Sequence, residues 1–140
     1  MALSLKTSIS IAAPADKVWA ALTTPELVKE YFFGTQLVTD WKVGSPVYFR
    51  GEWEGHTYED KGKVLRFDPP NHLAYNYWSS MGGLEDVPEN YANIGYTLHE
   101  AGGNTVVTIT QDNIENEEKR AHSEQNWQMV MTAMKNLLEQ

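Results

Sequence analysis

The first residues of the chain alternate between apolar and polar positions. One face of an extended chain would carry Leu3, Leu5, Thr7, Ile9 and Ile11. The other face would carry serine and lysine side chains. A period of two is typical of a strand with one buried face, so we predict a strand over residues 3–11.

Two short helices are predicted directly after this strand. The first begins at Pro14, which suits a first helical turn, and its apolar stripe of Val18, Trp19 and Leu22 runs to residue 22. The second begins at Thr24-Pro25 and runs to Tyr31. Thr24 is its predicted N-cap, and a glycine at position 34 follows its end.

The middle of the chain has the composition of strands separated by turns. Five strands are predicted here: Val47–Trp53, Tyr58–Phe67, His72–Ser80, Ala92–Glu100 and Asn104–Asp112. Gly102-Gly103 between the last two is a hairpin signal. The stretch from residue 80 to residue 90 has no periodicity, and we predict it to be an irregular segment and a candidate lid.

The C-terminal segment has the clearest helical pattern. Apolar side chains recur on one face at Trp127, Val130, Met131, Met134, Leu137 and Leu138. We predict a helix over residues 117–139, capped by Asn116 or Asn113. A sheet with one buried face needs a cover, and this helix is the available one. The sequence therefore predicts a single α+β domain over residues 1–140. In it, a curved antiparallel sheet of about six or seven strands wraps the helix and leaves a cavity at one end.

Composition narrows the class of protein. The 140 residues include 11 Lys+Arg and 19 Asp+Glu, a formal charge of −8, and no Cys. A negative field repels phosphate, which argues against a nucleic-acid partner. The lack of Cys excludes disulfide scaffolds, thiolate metal sites and a Cys nucleophile. No apolar run approaches the roughly 20 residues of a membrane span, and the chain does not start like a signal peptide. We therefore predict a soluble, cytoplasmic protein.

Aromatic side chains supply the main candidate site. The predicted inward positions that could line one pocket are Phe49, Trp53, Tyr75, Tyr77, Tyr96, Gln111, Trp127 and Met131. Apolar walls that carry a few hydroxyl or indole donors bind flat or lipid-like ligands and orient them. The alternative is that these rings only fill the core. Buried hydroxyls need partners, however, and this requirement favours a pocket.

Catalytic and metal-binding patterns are weak. The four histidines match no zinc motif, and the sequence has neither a Gly-x-Ser-x-Gly elbow nor a phosphate-binding loop. We therefore predict no metal, no cofactor and no assigned catalytic residue. Arg50, Glu52, Glu59 and Asp60 lie on predicted central strands. Any of them that pointed inward would be a candidate acid or base, but solvent-facing positions are the favoured interpretation.

Four motifs in order resemble a known family. They are IAAPADKVWAALTTPEL at residues 11–27, DWKVGSP at 40–46, GKVLRFDPP at 62–70, and GNTVVTI at 103–109 before the Trp127 helix. They resemble the START-like (SRPBCC, helix-grip) superfamily, in the branch related to the C-terminal domain of the activator of the heat-shock protein 90 ATPase. The resemblance covers essentially the whole chain. It implies a curved sheet that grips the C-terminal helix around a pocket for apolar or aromatic molecules.

The resemblance implies several functions rather than one. Relatives include lipid carriers, cyclases, ligand-responsive proteins and the chaperone activator. A small-molecule binding protein is the favoured interpretation. A cyclase- or hydrolase-type enzyme and a protein-interaction module related to chaperone activators stay open as alternatives. The co-chaperone carries a separate N-terminal domain, for which 140 residues leave no room, so a chaperone partner is disfavoured. Relatives often have His where this chain has Gln111.

Overall fold

The computed structural model describes residues 3–32, 34–53, 55–79 and 84–139, with only the backbone described at residue 53. The strands in this part of the chain are β1 Leu3–Ile11, β2 Gln36–Val38, β3 Pro46–Trp53, β4 His56–Asp68, β5 His72–Tyr77, β6 Ala92–Ala101 and β7 Asn104–Ile114. The helices are α1 Ala15–Thr23, α2 Pro25–Tyr31 and α3 Glu117–Leu138, and a single 3-10 turn spans Pro88–Asn90.

The strands form one antiparallel sheet in the order β1-β7-β6-β5-β4-β3-β2. Consecutive strands are neighbours from β2 to β7, whereas β1 lies beside β7 at the far edge. The α+β prediction is therefore confirmed, including the two short helices after the first strand and the long last helix. Strand β2 was not predicted, because three residues are too few to show a period of two. It pairs with β3 through Leu37 and Phe49.

Helix α3 covers the sheet mainly with its second half. Its buried side chains are Val130, Met131 and Met134, and it packs chiefly on β1. Asn116 caps the helix by accepting a hydrogen bond from the backbone N–H of Lys119 at 2.9 Å. Nine of its first ten residues are polar, and none of the ten is buried. In the described part of the chain, no helix is both long enough and apolar enough to cross a membrane.

The beginning of α2 differs from the prediction. Thr24 occupies the N-cap position, but its side chain accepts no capping hydrogen bond. The backbone carbonyl of Thr24 still accepts from the N–H of Val28 at 3.0 Å, which is the first bond of the helix. Pro25 occupies the first turn, where its missing N–H is not needed. Proline therefore contributes more to this helix start than the threonine hydroxyl does.

The described part of the predicted lid is held by polar contacts. The indole N–H of Trp78 donates to the carbonyls of Leu84 and Glu85, at 3.2 and 3.1 Å. Asp86 forms an ion pair with Lys61 and accepts a hydrogen bond from the Tyr91 hydroxyl at 2.5 Å. These bonds connect residues 84–91 to β4 and to Trp78, which directly follows β5. Residues 80–83 of the predicted lid lie outside the described residues.

Candidate ligand-binding site

A line of aromatic rings crosses the side of the sheet that faces the helices. The ring of Phe49 on β3 lies 5.5 Å from that of Tyr75 and 5.6 Å from that of Tyr77, measured between centroids. Tyr75 on β5 lies 5.9 Å from Tyr96 on β6, and Tyr96 meets Trp127 of α3 edge-on at 6.0 Å. Alternation along three strands thus brings together four of the predicted site residues, and helix α3 adds Trp127 as the fifth.

A sixth ring closes this line from the end of α2. Phe32 lies 6.3 Å from Phe49 in a stacked arrangement and 6.3 Å from Trp127 in an edge arrangement. We call Phe32, Phe49, Tyr75, Tyr77, Tyr96 and Trp127 the aromatic cluster. The sequence analysis missed Phe32 because it lies just beyond a short helix. Its spacing of four residues from the buried Val28 is the signal that could have identified it.

Two tyrosine hydroxyls meet in the middle of the aromatic cluster. The hydroxyl oxygens of Tyr75 and Tyr96 lie 2.8 Å apart, and both side chains are buried. Burial raises the pKa of both hydroxyls above the ordinary value for tyrosine. Both therefore stay neutral near pH 7. One of the two hydroxyl protons forms the hydrogen bond between the two tyrosines. The other proton can be donated to a further acceptor.

Trp127 and Gln111 form a second polar pair at the edge of the aromatic cluster. The indole N–H of Trp127 donates to the side-chain carbonyl of Gln111 at 2.8 Å. Gln111 lies between Leu5 and Ile94 in the strand register, which places it on the helix-facing side. Both members are half-buried, whereas Met131, one turn further along α3, is fully buried.

Asp60 is the one position where the sequence analysis favoured the wrong side of the sheet. It was expected to face solvent, yet only 8% of it is exposed. Asp60 pairs with Phe49 in the register of β3 and β4, so it shares the helix-facing side with the aromatic cluster. The hydroxyl of Tyr77 donates to its carboxylate. Burial, and secondarily the charge of Asp60, raise the pKa of Tyr77 well above its ordinary value.

The other charged candidates lie on the opposite side, as expected. Arg50 and Glu59 are directly paired in the register and form an exposed ion pair at 2.6 Å. The guanidinium of Arg50 also lies 4.7 Å from the ring centre of Tyr48. Glu52 is exposed as well. Exposed pairs of this kind stabilise a fold by at most about 1 kcal/mol and offer no desolvated acid or base.

Two grooves border the site. The larger, about 1030 Å³, lies between α2 and the hairpin of β3 and β4, with Gly51 and Tyr58 in its lining. A Cβ at Gly51 would lie 2.4 Å from the Tyr58 hydroxyl oxygen, so glycine is what lets this ring lie against β3. The Tyr58 hydroxyl is 2.6 Å from the hydroxyl of Thr35. The smaller groove, about 570 Å³, borders Gln111. Rings of the aromatic cluster line neither groove.

The remaining candidate residues and surfaces add little to the description of the site. The side chain of Trp53 lies outside the described residues, so its place relative to the aromatic cluster stays a prediction. Within the described ranges, no three His, Cys, Asp or Glu side chains converge as metal ligands would. The most exposed large apolar side chains there come from five separate segments: Val43, Leu65, Leu84, Val106 and Met129.

Comparison with known protein families identifies the family of this chain. The sequence model of the family described as "Activator of Hsp90 ATPase homolog 1-like protein" matches residues 12–139. The chain belongs to this family. The resemblance to the START-like superfamily is thereby confirmed, because the match covers nearly the whole chain. No curated protein matches the sequence.

Solved structures of other proteins share the fold of this Activator of Hsp90 ATPase homolog 1-like chain. ChR145 from Cytophaga hutchinsonii is 44% identical, with a TM-score of 0.85, over 98% of this chain and 94% of its own. The Aha1 dimer from Colwellia psychrerythraea is 22% identical, with a TM-score of 0.77, over 98% and 96%. DynU16, a protein in the dynemicin biosynthetic locus, is 20% identical, with a TM-score of 0.80, over 97% and 47%.

Proposed function

We propose that this protein binds a small apolar or aromatic molecule between the sheet and α3, at the aromatic cluster. The observation that carries the proposal is the buried hydroxyl pair of Tyr75 and Tyr96, 2.8 Å apart among aromatic rings. Burying hydroxyls costs free energy unless each finds a partner. A core built only for stability would use phenylalanine at such positions. Retaining two hydroxyls there makes sense if they orient a ligand.

The ligand enters, on this proposal, between the end of α2 and α3. Phe32 and Trp127 are the half-buried members of the aromatic cluster on these two helices, and they meet edge-on at 6.3 Å. Tyr75, Tyr96 and Phe49 on the sheet are buried. Rings at a helix border can move apart at less cost than rings fixed on central strands. A flat ligand would separate them and lie against the strand tyrosines.

The family supports binding in general terms. The structural relative DynU16 is described as a protein in the dynemicin biosynthetic locus. This likeness concerns the fold, so the ligand has to be argued from the residues of this chain. Those residues combine apolar walls with few polar groups, as small-molecule sites do.

Titration with N-phenyl-1-naphthylamine, a neutral apolar fluorophore, tests the proposal. We expect saturable 1:1 binding with a blue-shifted emission. Trp127→Ala removes a wall of the site and should weaken binding about tenfold, the equivalent of roughly 1.4 kcal/mol. Met129→Ala is the matched control, because Met129 lies on the same helix and is 51% exposed. Circular dichroism would verify that both variants fold.

The outcomes separate clearly. Absence of saturable binding to the wild-type protein would refute the proposed site. Equal weakening by Trp127→Ala and Met129→Ala would place the fluorophore elsewhere on the helix. Native mass spectrometry of the purified protein adds an independent readout, since a carried molecule would appear as a discrete mass increase.

A cyclase- or hydrolase-type enzyme is the second candidate, favoured by one observation. Asp60 is a buried carboxylate beside the Tyr77 hydroxyl, on the side of the sheet that holds the aromatic cluster. A buried carboxylate with a phenol neighbour has the chemistry of a general base. Native mass spectrometry of wild type and Asp60→Asn from the same cells distinguishes the two functions. An enzyme should retain a different bound mass when the base is lost, whereas a binding protein should retain the same one.

A further inference from the structure

The side-chain amide of Gln111 has an orientation that its neighbour determines. The indole N–H of Trp127 can only donate a hydrogen bond, so the amide oxygen, and not the amide nitrogen, lies 2.8 Å from it. The amide nitrogen is therefore turned away from the indole. Among the residues that the structure describes, Trp127 is the only hydrogen-bond partner of the Gln111 side chain. Two N–H donors consequently remain for a further acceptor.

Gln111 lies in the same row of the sheet as one member of the tyrosine pair. Tyr75 pairs with Ile94, and Ile94 pairs with Gln111, so all three share the helix-facing side. Neighbouring strands are about 4.8 Å apart, which places the backbone of Gln111 roughly 10 Å from that of Tyr75. Trp127 contacts both Gln111 and the ring of Tyr96. The Gln111 amide thus lies at the border of the proposed ligand site.

The hydroxyl pair of Tyr75 and Tyr96 also has more donors than acceptors to receive them. One proton forms the bond of 2.8 Å between the two oxygens. In the described part of the chain, no other nitrogen or oxygen atom bonds to either hydroxyl. A buried proton without an acceptor is less well tolerated than an unused lone pair. Both polar points of the site therefore favour a ligand that accepts hydrogen bonds.

A neutral acceptor suits these donors better than a carboxylate does. Burying a negative charge costs free energy unless a cation pairs with it. On the central strands, Arg50 forms an ion pair with Glu59 on the solvent-facing side of the sheet. Lys61 forms one with Asp86. A carbonyl oxygen accepts hydrogen bonds without bringing a charge that needs a cation.

We infer that the ligand is an apolar molecule with a neutral carbonyl group, and that Gln111 selects it by donating to the carbonyl oxygen. This inference rests on the proposed binding function and specifies its ligand class. Trp127 positions the amide by binding its oxygen, and the aromatic cluster binds the apolar body of the ligand. Gln111 thereby determines specificity, whereas the rings supply most of the affinity.

Equilibrium dialysis with two probes of one skeleton tests the inference: 2-acetylnaphthalene, a ketone, and 2-ethylnaphthalene, a hydrocarbon. Relative to their partition from water into hexane, the wild-type protein should bind the ketone about tenfold better. Gln111→Glu keeps an oxygen for the Trp127 indole but replaces the two N–H donors by lone pairs. It should weaken binding of the ketone about tenfold, and that of the hydrocarbon by less than about twofold. Gln125→Glu is the matched control, because it makes the same change at an exposed position of α3.

The outcomes separate this inference from the proposed function. Binding of N-phenyl-1-naphthylamine and of both probes, without the corrected preference for the ketone, would leave the proposed function standing and overturn the inference. Equal weakening of both probes by Gln111→Glu would also overturn it, because Gln111 would then only support the site. Failure of the fluorophore and of both probes would overturn both.

A second variant covers the case in which Gln111→Glu does not fold by circular dichroism. Gln111→Met has a side chain of similar length with no N–H donor, and it should lose the preference for the ketone in the same comparison. A preference retained by this variant would refute the role of Gln111. If neither variant folds, the corrected preference of the wild-type protein decides whether the ligand class stands.

Discussion

The two halves of the contact between α3 and the sheet are built from different chemistry. Towards the end of α3, where Lys135 donates to the carbonyl of Ser10 at 3.1 Å, the core is aliphatic. We call this part the aliphatic end, represented by Ile11, Val107, Met131 and Met134, all essentially inaccessible to solvent. Nearer the middle of α3, Trp127 contacts the other rings of the aromatic cluster, which carries hydroxyls and an indole N–H and has the Asp60 carboxylate beside it.

This difference separates stability from recognition. Each fully buried aliphatic side chain contributes roughly 1.5–3 kcal/mol and requires no partner. The aromatic cluster also buries apolar surface but must satisfy polar atoms, which offsets part of that gain. A protein that needed only a folded sheet would extend the aliphatic end along the whole of α3. We therefore expect mutations at the aliphatic end to change stability alone, and mutations at the aromatic cluster to change ligand binding as well.

The largest effect on stability is expected at the aliphatic end. Met134→Ala removes a side chain that is 1% exposed, and should lower the free energy of unfolding by about 3 kcal/mol. Urea denaturation measures this change. Met129→Ala, on the exposed side of the same helix, should stay within about 0.5 kcal/mol of wild type. The folded Met134→Ala protein should still bind the neutral fluorophore. Loss of that binding without unfolding would contradict the division into two parts.

An intermediate effect is expected from the hydroxyl pair. Tyr96→Phe leaves the buried Tyr75 hydroxyl without the partner that now lies 2.8 Å away, and should cost about 1–2 kcal/mol. The double variant Tyr75→Phe with Tyr96→Phe should be less destabilised than the sum of the single variants, because no orphaned hydroxyl remains. A double-mutant cycle by urea denaturation measures this coupling. Additive losses would show that the two hydroxyls do not depend on each other.

The sequence predicted the aliphatic end better than the aromatic cluster. Period-two alternation in β1 and the apolar stripe of α3 were sufficient to predict the sheet and its covering helix, because both patterns follow directly from burial of one face. The aromatic residues were also placed on inward positions by alternation. Asp60 was misassigned, since a charged residue is usually solvated and the pattern alone does not reveal the Tyr77 hydroxyl that binds it.

Positions that are only partly buried were harder to predict from the sequence than fully buried ones. Trp127 was expected to be core and pocket at once, and it is in contact with the core but only half-buried. The reason is that none of the first ten residues of α3 is buried, so its apolar stripe is covered only from about Trp127 onward. Phe32 lies beyond a helix end, where periodicity stops. Phe32 and Trp127 lie where α2 and α3 meet. Their burial depends on how these two helices pack against each other, which the hydrophobic pattern within one helix does not reveal.

The smallest expected effect concerns a bond that fastens the aliphatic end. Glu139 accepts a hydrogen bond from the backbone N–H of Ala12 at 2.8 Å and forms an ion pair with Lys135. The bond from Ala12, and then that from Lys135, lower the pKa of Glu139 below its ordinary value of 4.5. A lowered pKa means that the folded state favours the carboxylate form of Glu139. The contribution of this carboxylate to stability is therefore complete above about pH 4.5 and is lost as the pH falls.

Glu139→Gln should thus lower the Tm at pH 7 slightly, and the difference from wild type should shrink below pH 4.5. Glu118→Gln, exposed in the first turn of the same helix, is the control. A Tm difference that stayed constant from pH 7 to pH 3 would show that the charge of Glu139 does not hold α3 to β1.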